Sequence, residues 1–152
     1  MKIYVDADAC PVKEVVCNEA YTRSIPVIMV VSMAHNIYPA EGMDVIRVDS
    51  SFQAVDMAIV NAAVSGDIVV TSDFGLASIV LGKGARAISP SGRVFSERNI
   101  DTLLEKRHSA ARQRRGGGRV KGPKARKKVN DDFFRNNLIR LIEEGVLRNV
   151  QP

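Results

Sequence analysis

Asp6 and Asp8 follow the apolar run Ile3-Tyr4-Val5, and Asp73 stands just past Ile68-Val69-Val70-Thr71. Asp49 comes directly after Val45-Ile46-Arg47-Val48, Asp56 lies early in the amphipathic stretch that follows, and Glu14 lies in the stretch after the first run. Carboxylates that converge repel one another, and protonation or a bound cation relieves the repulsion. Hard oxygen ligands with room for water select Mg²⁺ or Mn²⁺. A cation held this way can activate water and stabilise the oxygen that leaves a phosphoester. Each acid also has a plainer role open to it. Asp8 can cap the helix that starts near Pro11, Asp49 can start the next helix, and Asp56 can be a solvated helix residue. The plainer role suits Asp49 and Glu14, position relative to a strand suits Asp6 and Asp73 to function, and Asp8 and Asp56 stand between.

Convergence needs a scaffold that gathers strand ends. Short apolar runs alternate with amphipathic stretches along the chain, which predicts an α/β fold: a three-layer parallel sheet with flanking helices. Strands are expected at 3–5, 27–31, 45–48, 68–71 and 85–88, the last closed by the turn Ser89-Pro90-Ser91-Gly92. The second, wholly apolar, is expected to be central. Helices are expected at 11–22, 52–64, 76–81 and 98–107, and a final one runs from Asn130 as N-cap to about residue 148, with Gly145 a plausible stop. Ligands in such sheets sit beyond the carboxyl ends of the strands, where the aspartates fall.

The chain has 152 residues, 45% of them hydrophobic, which is enough to bury one core and excludes disorder throughout. Two cysteines exclude a disulfide scaffold. No apolar run approaches the roughly 18 residues of a spanning helix, and Asp6 and Asp8 interrupt any signal-peptide core. The expectation is a soluble, cytoplasmic protein with no membrane partner.

The net charge of +5 hides a segregation. Residues 106–128 hold 11 of the 22 Lys and Arg and none of the 17 acids, so the remainder carries a net −6. An acidic body, residues 1–105, is followed by a basic, glycine-containing segment, 106–129, and by the last helix, 130–148. The segment has no hydrophobic period and three consecutive glycines, so it is expected to be flexible when nothing is bound. It lacks the Gly-Lys-Ser/Thr ending of a nucleotide P-loop. Dense charge without acids points instead to phosphate backbones, with Arg112, Arg114, Arg115 and Arg119 as the expected contacts to RNA or single-stranded nucleic acid. A solvated linker is the plainer alternative.

Other residues offer weaker signals. Cys10 near a helix start could be a low-pKa thiolate, but buried inert cysteines are commoner and no histidine is close in sequence. His35, after the second strand, could touch a phosphate or be a solvated loop residue. His108 adds charge to the basic segment. Thr71 and Ser72 could orient a water or a phosphate oxygen, and Ser72 could equally cap the next helix.

Val5-Asp6-Ala7-Asp8-Ala9-Cys10-Pro11 and Gly66-Asp67-Ile68-Val69-Val70-Thr71-Ser72-Asp73, followed by Leu76-Ala77, resemble the signatures of the YaiI/YqxD family of bacterial proteins. Ser89-Pro90-Ser91-Gly92 with Phe95, and Gly117-Gly118 with Gly122-Pro123, extend the likeness toward the last helix. That family in turn resembles PIN-like nucleases. The resemblance implies a Mg²⁺- or Mn²⁺-dependent acidic site for cutting RNA, with Asp6 as the acid after the first strand. It places Asp73 in the site through the pattern T-x-D-x-x-L-A, and Asp56 in place of the middle-helix acid. No further acid follows Asp73 in the next helix, a departure for which Asp8 could compensate. The metal set so implied is Asp6, Asp8, Asp56 and Asp73, with Asp6 and Asp73 catalytic.

Three functions compete on this reading. The first is a metal-dependent phosphodiesterase acting on RNA or single-stranded nucleic acid. The second is a haloacid-dehalogenase-like phosphatase, suggested by Asp6-Ala7-Asp8, although Cys10 stands where those enzymes usually carry Thr or Val. The third is an RNA-binding protein that keeps the fold without turnover.

Overall fold

The computed structural model describes residues 1–8, 10–51, 53–117 and 125–150. Strand residues alternate between two cores, as the two-residue period of a pleated strand requires. In β1 (Ile3–Asp6), Ile3 and Val5 enter one core and Tyr4 the other. β2 (Val27–Ser32) is buried at every position, as expected of a central strand covered on both faces. β3 (Met43–Val48), β4 (Ile68–Val70), β5 (Arg86–Ile88) and β6 (Val94–Phe95) complete a sheet of order β3-β2-β1-β4-β5-β6. The first five are parallel, and β6 pairs antiparallel with β5.

Helices α1 (Lys13–Tyr21) and α5 (Lys128–Val150) cover one face of the sheet. Helices α2 (Ala54–Ala62), α3 (Phe74–Gly82) and α4 (Glu97–Arg115) cover the other. The result is the three-layer α/β architecture expected from the alternating runs. Helix α5 docks through Phe134, Leu138, Leu141 and Ile142, all buried, and each such side chain contributes about 1.5–3 kcal/mol. Among the described residues no helix is long and apolar enough to cross a membrane.

Four local expectations need correction. Strand β6 was not foreseen, because a two-residue edge strand has too little length to show a period. Helix α4 does not end near Arg107 but continues to Arg115, so Arg112, Arg114 and Arg115 are helical rather than part of a flexible segment. The stretch has no apolar residue larger than alanine to mark a helix face, yet Arg, Gln and Ala favour helix, and cations suit its carboxyl end. Gly117, at φ 85°, follows the helix end. Asn130 lies inside the first turn of α5 and reaches back, its Oδ1 accepting from the Lys127 N–H at 2.8 Å.

Gly145 is the fourth correction. It does not stop α5, which runs on to Val150. The glycine is buried, and the ends of the flexible Arg86 and Met1 side chains occupy the space a Cβ would take.

Candidate active site: a carboxylate cleft beyond β1 and β4

The chain leaves β1 toward β2 by way of α1 on one face, and enters β4 by way of α2 on the other. Strand order therefore reverses between β1 and β4, the crevice where ligands of open α/β sheets sit. Asp6 ends β1 and Thr71 follows β4, so these two residues flank the reversal.

Thr71 is 1% exposed. Its hydroxyl donates to Asp6 Oδ2 at 2.9 Å and accepts from the Asp73 N–H at 3.0 Å. It thus ties the end of β1 to the start of α3 and does not itself reach solvent. Asp73 is the N-cap of α3, its Oδ1 accepting from the Leu76 N–H at 3.1 Å. The capping role offered for Ser72 belongs to its neighbour. Asp8 is held from β2: its Oδ1 accepts from the Ser32 N–H at 2.8 Å and lies 3.3 Å from His35 Nδ1. That ring nitrogen is also 3.1 Å from Ser32 Oγ, so His35 joins the rim through Asp8 and Ser32.

Asp6, Asp8, Asp56 and Asp73 line one cleft of about 510 Å³. No Lys, Arg or His is among its described lining residues. Burial, the largest cause, pushes the Asp6 carboxyl above its ordinary value; the Thr71 hydrogen bond opposes this, and the charges of Asp8 and Asp73 reinforce it. Asp49 stands apart, binding the N–H and hydroxyl of Ser51, hydrogen bonds that lower its pKa. Glu14 is exposed on α1 and is not in the cleft. For both, the plainer role fits.

The outer wall was not foreseen. Val55, Met57, Val60, Leu76 and Ile79 give the cleft an apolar side, with Met57 and Ile79 more than half exposed. The available signal was an apolar residue on the outward face of each amphipathic helix. Gln53, the N-cap of α2, holds a left-handed conformation at φ 63° in the same wall. Such backbone costs about 1 kcal/mol or more outside glycine and concentrates near functional sites.

Ser72 and the arginines lie elsewhere. Ser72 is exposed and lines a different cavity, with Ser91, Arg93 and Arg126. Arg112 and Arg115 are exposed on α4 and do not line the cleft, Arg114 is on the same helix, and Arg119 lies outside the described residues. His108 is exposed on α4. Cys10 is buried, which pushes its thiol pKa up and removes the case for a thiolate nucleophile. Cys17 packs its sulfur 3.7 Å from Met43 Sδ.

The donors in the cleft are hard carboxylate oxygens, the chemistry that suits Mg²⁺ or Mn²⁺. Among the described residues, no three His, Cys, Asp or Glu side chains form a group that could hold a metal ion. A Mg²⁺ ion that keeps several waters needs only one or two carboxylates.

The family model described as "Uncharacterized BCR, YaiI/YqxD family" matches residues 4–144, from β1 into α5. The chain belongs to the YaiI/YqxD family. A relative named UPF0178 protein, from Clostridium kluyveri, is 46% identical over 145 residues, covering 95% of each chain. UPF0178 proteins of Ruminiclostridium cellulolyticum and Exiguobacterium sibiricum are 42% and 44% identical, covering 94% and 95% of this chain and 93% and 98% of theirs. No solved structure matches. The YaiI/YqxD match takes in the acidic body, the basic segment and most of the last helix together, so the family unit includes all three.

Proposed function

We propose that this protein is a Mg²⁺- or Mn²⁺-dependent phosphodiesterase that cuts RNA or other single-stranded nucleic acid, with a PIN-like arrangement of acids. The observation that carries the reading is the gathering of four carboxylates, from β1, its following loop, α2 and the start of α3, in one cleft. Such a cleft repels a phosphate until a cation occupies it. Asp6 and Asp73 would hold the cation at the strand reversal, with Asp8 and Asp56 as outer ligands through water. When bound, Mg²⁺ or Mn²⁺ supplies charge that activates water and stabilises the leaving oxygen. Thr71 is a positioning residue, fixing the Asp6 carboxylate and the Asp73 backbone in one mutual geometry. Arg112 and Arg115 lie outside the cleft, and their part is to hold the strand by charge.

Cleavage of a fluorescein-labelled single-stranded RNA, with Mn²⁺ and with chelator, tests this. Wild type should cut only with metal, and Asp6→Asn and Asp73→Asn should abolish cutting while keeping the fold. Asn remains a good N-cap at position 73 and still accepts from Thr71 at position 6. The same variants should lose any rise in melting temperature on Mn²⁺ addition. Identical Mn²⁺ titrations for all three proteins would refute the site. The competing reading is a nucleic-acid-binding protein without turnover, which the same basic segment would serve. RNA binding by wild type with no metal-stimulated cutting would select it.

A further inference from the structure

The connection from β4 to α3 is a ridge with two sides. Asp73 and Gly75 line the acidic cleft, whereas the alternate residues Ser72 and Phe74 line a second cavity, of about 810 Å³, behind it. Asp73 is extended, at φ −84° and ψ 111°, which turns successive side chains to opposite sides. The charge also reverses across the ridge. The second cavity carries Arg93 and Arg126 with Ser72 and Ser91, and no carboxylate is among its described lining residues. Arg93 also borders a smaller neighbouring hollow, of about 290 Å³, lined in addition by Arg98 and Lys106 and again without a described carboxylate. A cationic strip thus leads from the ridge onto the face of α4 that carries Arg98 and Lys106.

The cavity is built rather than incidental. Phe74 packs edge-on against Phe95, with ring centroids 5.6 Å apart, which joins the ridge to β6. The Ser89–Gly92 turn is clamped to α5: Asn137 Nδ2 donates to the Gly92 carbonyl at 2.7 Å, and a Cβ on Gly92 would meet Phe133 Cδ1 at 2.4 Å. Within the turn, Ser89 Oγ lies 2.7 Å from Ser91 Oγ and accepts from the Arg93 N–H at 3.1 Å. Arg126 Nε is steadied by Asp131 at 2.6 Å. Fixed hydroxyls and two guanidinium groups around a groove are the chemistry of phosphate recognition.

We propose that this groove is a phosphate-binding subsite for the strand cut in the acidic cleft, with Arg93 and Arg126 as its principal contacts and Ser72 and Ser91 as hydroxyl donors. The proposal rests on the phosphodiesterase reading for what happens next door, and on the groove alone for what binds there. A single strand crossing the ridge places one phosphate over the carboxylates and a neighbouring one on the arginines. Its onward phosphates then follow Arg98 and Lys106.

The test is binding of a fluorescein-labelled twelve-residue oligouridine, by fluorescence anisotropy without divalent metal, between 50 and 200 mM salt. Each lost contact on a single strand changes the slope of log affinity against log salt by about 0.7, so Arg93→Gln/Arg126→Gln should flatten it by about 1.4. By the same relation the double variant should bind about 25-fold more weakly at 100 mM salt. The control Arg140→Gln/Arg148→Gln, which removes two exposed charges from α5, should leave the slope unchanged. The Mn²⁺ response of Arg93→Gln/Arg126→Gln should match wild type, because neither arginine borders the acidic cleft, and thermal melting should change little, since the Arg126–Asp131 ion pair it removes is partly exposed. An unchanged slope in that variant, or an equal flattening in the control, overturns the subsite. Loss of slope in a protein that never cuts RNA sustains the subsite and overturns the phosphodiesterase. Metal-dependent cutting with an unchanged slope does the reverse.

Discussion

Replacing Thr71 by Val removes one hydroxyl from a fully buried, nearly isosteric side chain and tests how the candidate site is held together. That hydroxyl donates to the Asp6 carboxylate at 2.9 Å and accepts from the Asp73 N–H at 3.0 Å. A hydrogen bond to a charged group is worth about 1.5–3 kcal/mol and a neutral one about 1 kcal/mol, so the loss should be about 3 kcal/mol. In a chain of 152 residues that corresponds to a fall of about 6–12 °C in melting temperature. Much of the loss depends on the charge of Asp6, because an Asn there keeps only a neutral hydrogen bond. Thr71→Val introduced into Asp6→Asn should therefore cost less, with a coupling of about 1 kcal/mol between the two positions. Urea denaturation at pH 7 followed by circular dichroism suits a chain with no tryptophan, and the midpoint should move at constant slope. Effects that add to within about 0.3–0.5 kcal/mol would show that Thr71 does not hold the Asp6 charge.

Three further outcomes are expected. Asp6 has its pKa raised by burial and by Asp8 and Asp73, so between its ordinary value of 3.8 and the raised value the folded state binds more protons and stability falls as pH rises. Asp6→Asn should accordingly be more stable than wild type at pH 7, and denaturant titrations at low pH should show that gain vanishing below about 3.8; a gain of equal size at every pH would contradict the charge argument. Gly145→Ala should stabilise by about 0.5–1 kcal/mol, measurable as a higher urea midpoint, because the position is helix interior and a Cβ meets only the flexible ends of Arg86 and Met1, whereas at a helix stop of positive φ Ala would destabilise. Replacing Arg112, Arg114, Arg115 and Arg119 with Ala should flatten the salt dependence of RNA binding while sparing Mn²⁺ binding. Unchanged affinity and slope in that variant would mark the basic segment as a linker only.

The order of elements was legible because it depends on local pattern. The apolar runs at Ile3-Tyr4-Val5, Val27–Val31, Val45–Val48, Ile68–Val70 and Ala85–Ile88 show strand residues, because β-branched side chains fit the buried pleated surface of a sheet. Parallel pairing follows once helices intervene, and the carboxyl ends of parallel strands lie on one edge of the sheet. Asp6, Asp8 and Asp73 could thus be placed together before any distance was known.

Tertiary packing decided the rest. Whether Gly145 ends a helix depends on how α5 packs on the sheet, which buries Leu141, Ile142 and the glycine itself against residues remote in sequence. Whether α4 ends at Arg107 or Arg115 depends on backbone preference, since the arginine-rich turns have no apolar stripe to reveal them. Ser72 and Asp73 are adjacent in the chain, yet one faces a basic groove and the other an acidic cleft, because extended backbone alternates its side chains across the ridge. The sequence by itself determined which residue types lie at the strand ends and where charge is concentrated. Which side of the β4–α3 ridge each charge occupies was settled only when α3, α5 and the Ser89–Gly92 turn packed around it, because that depends on contacts between residues far apart in the chain.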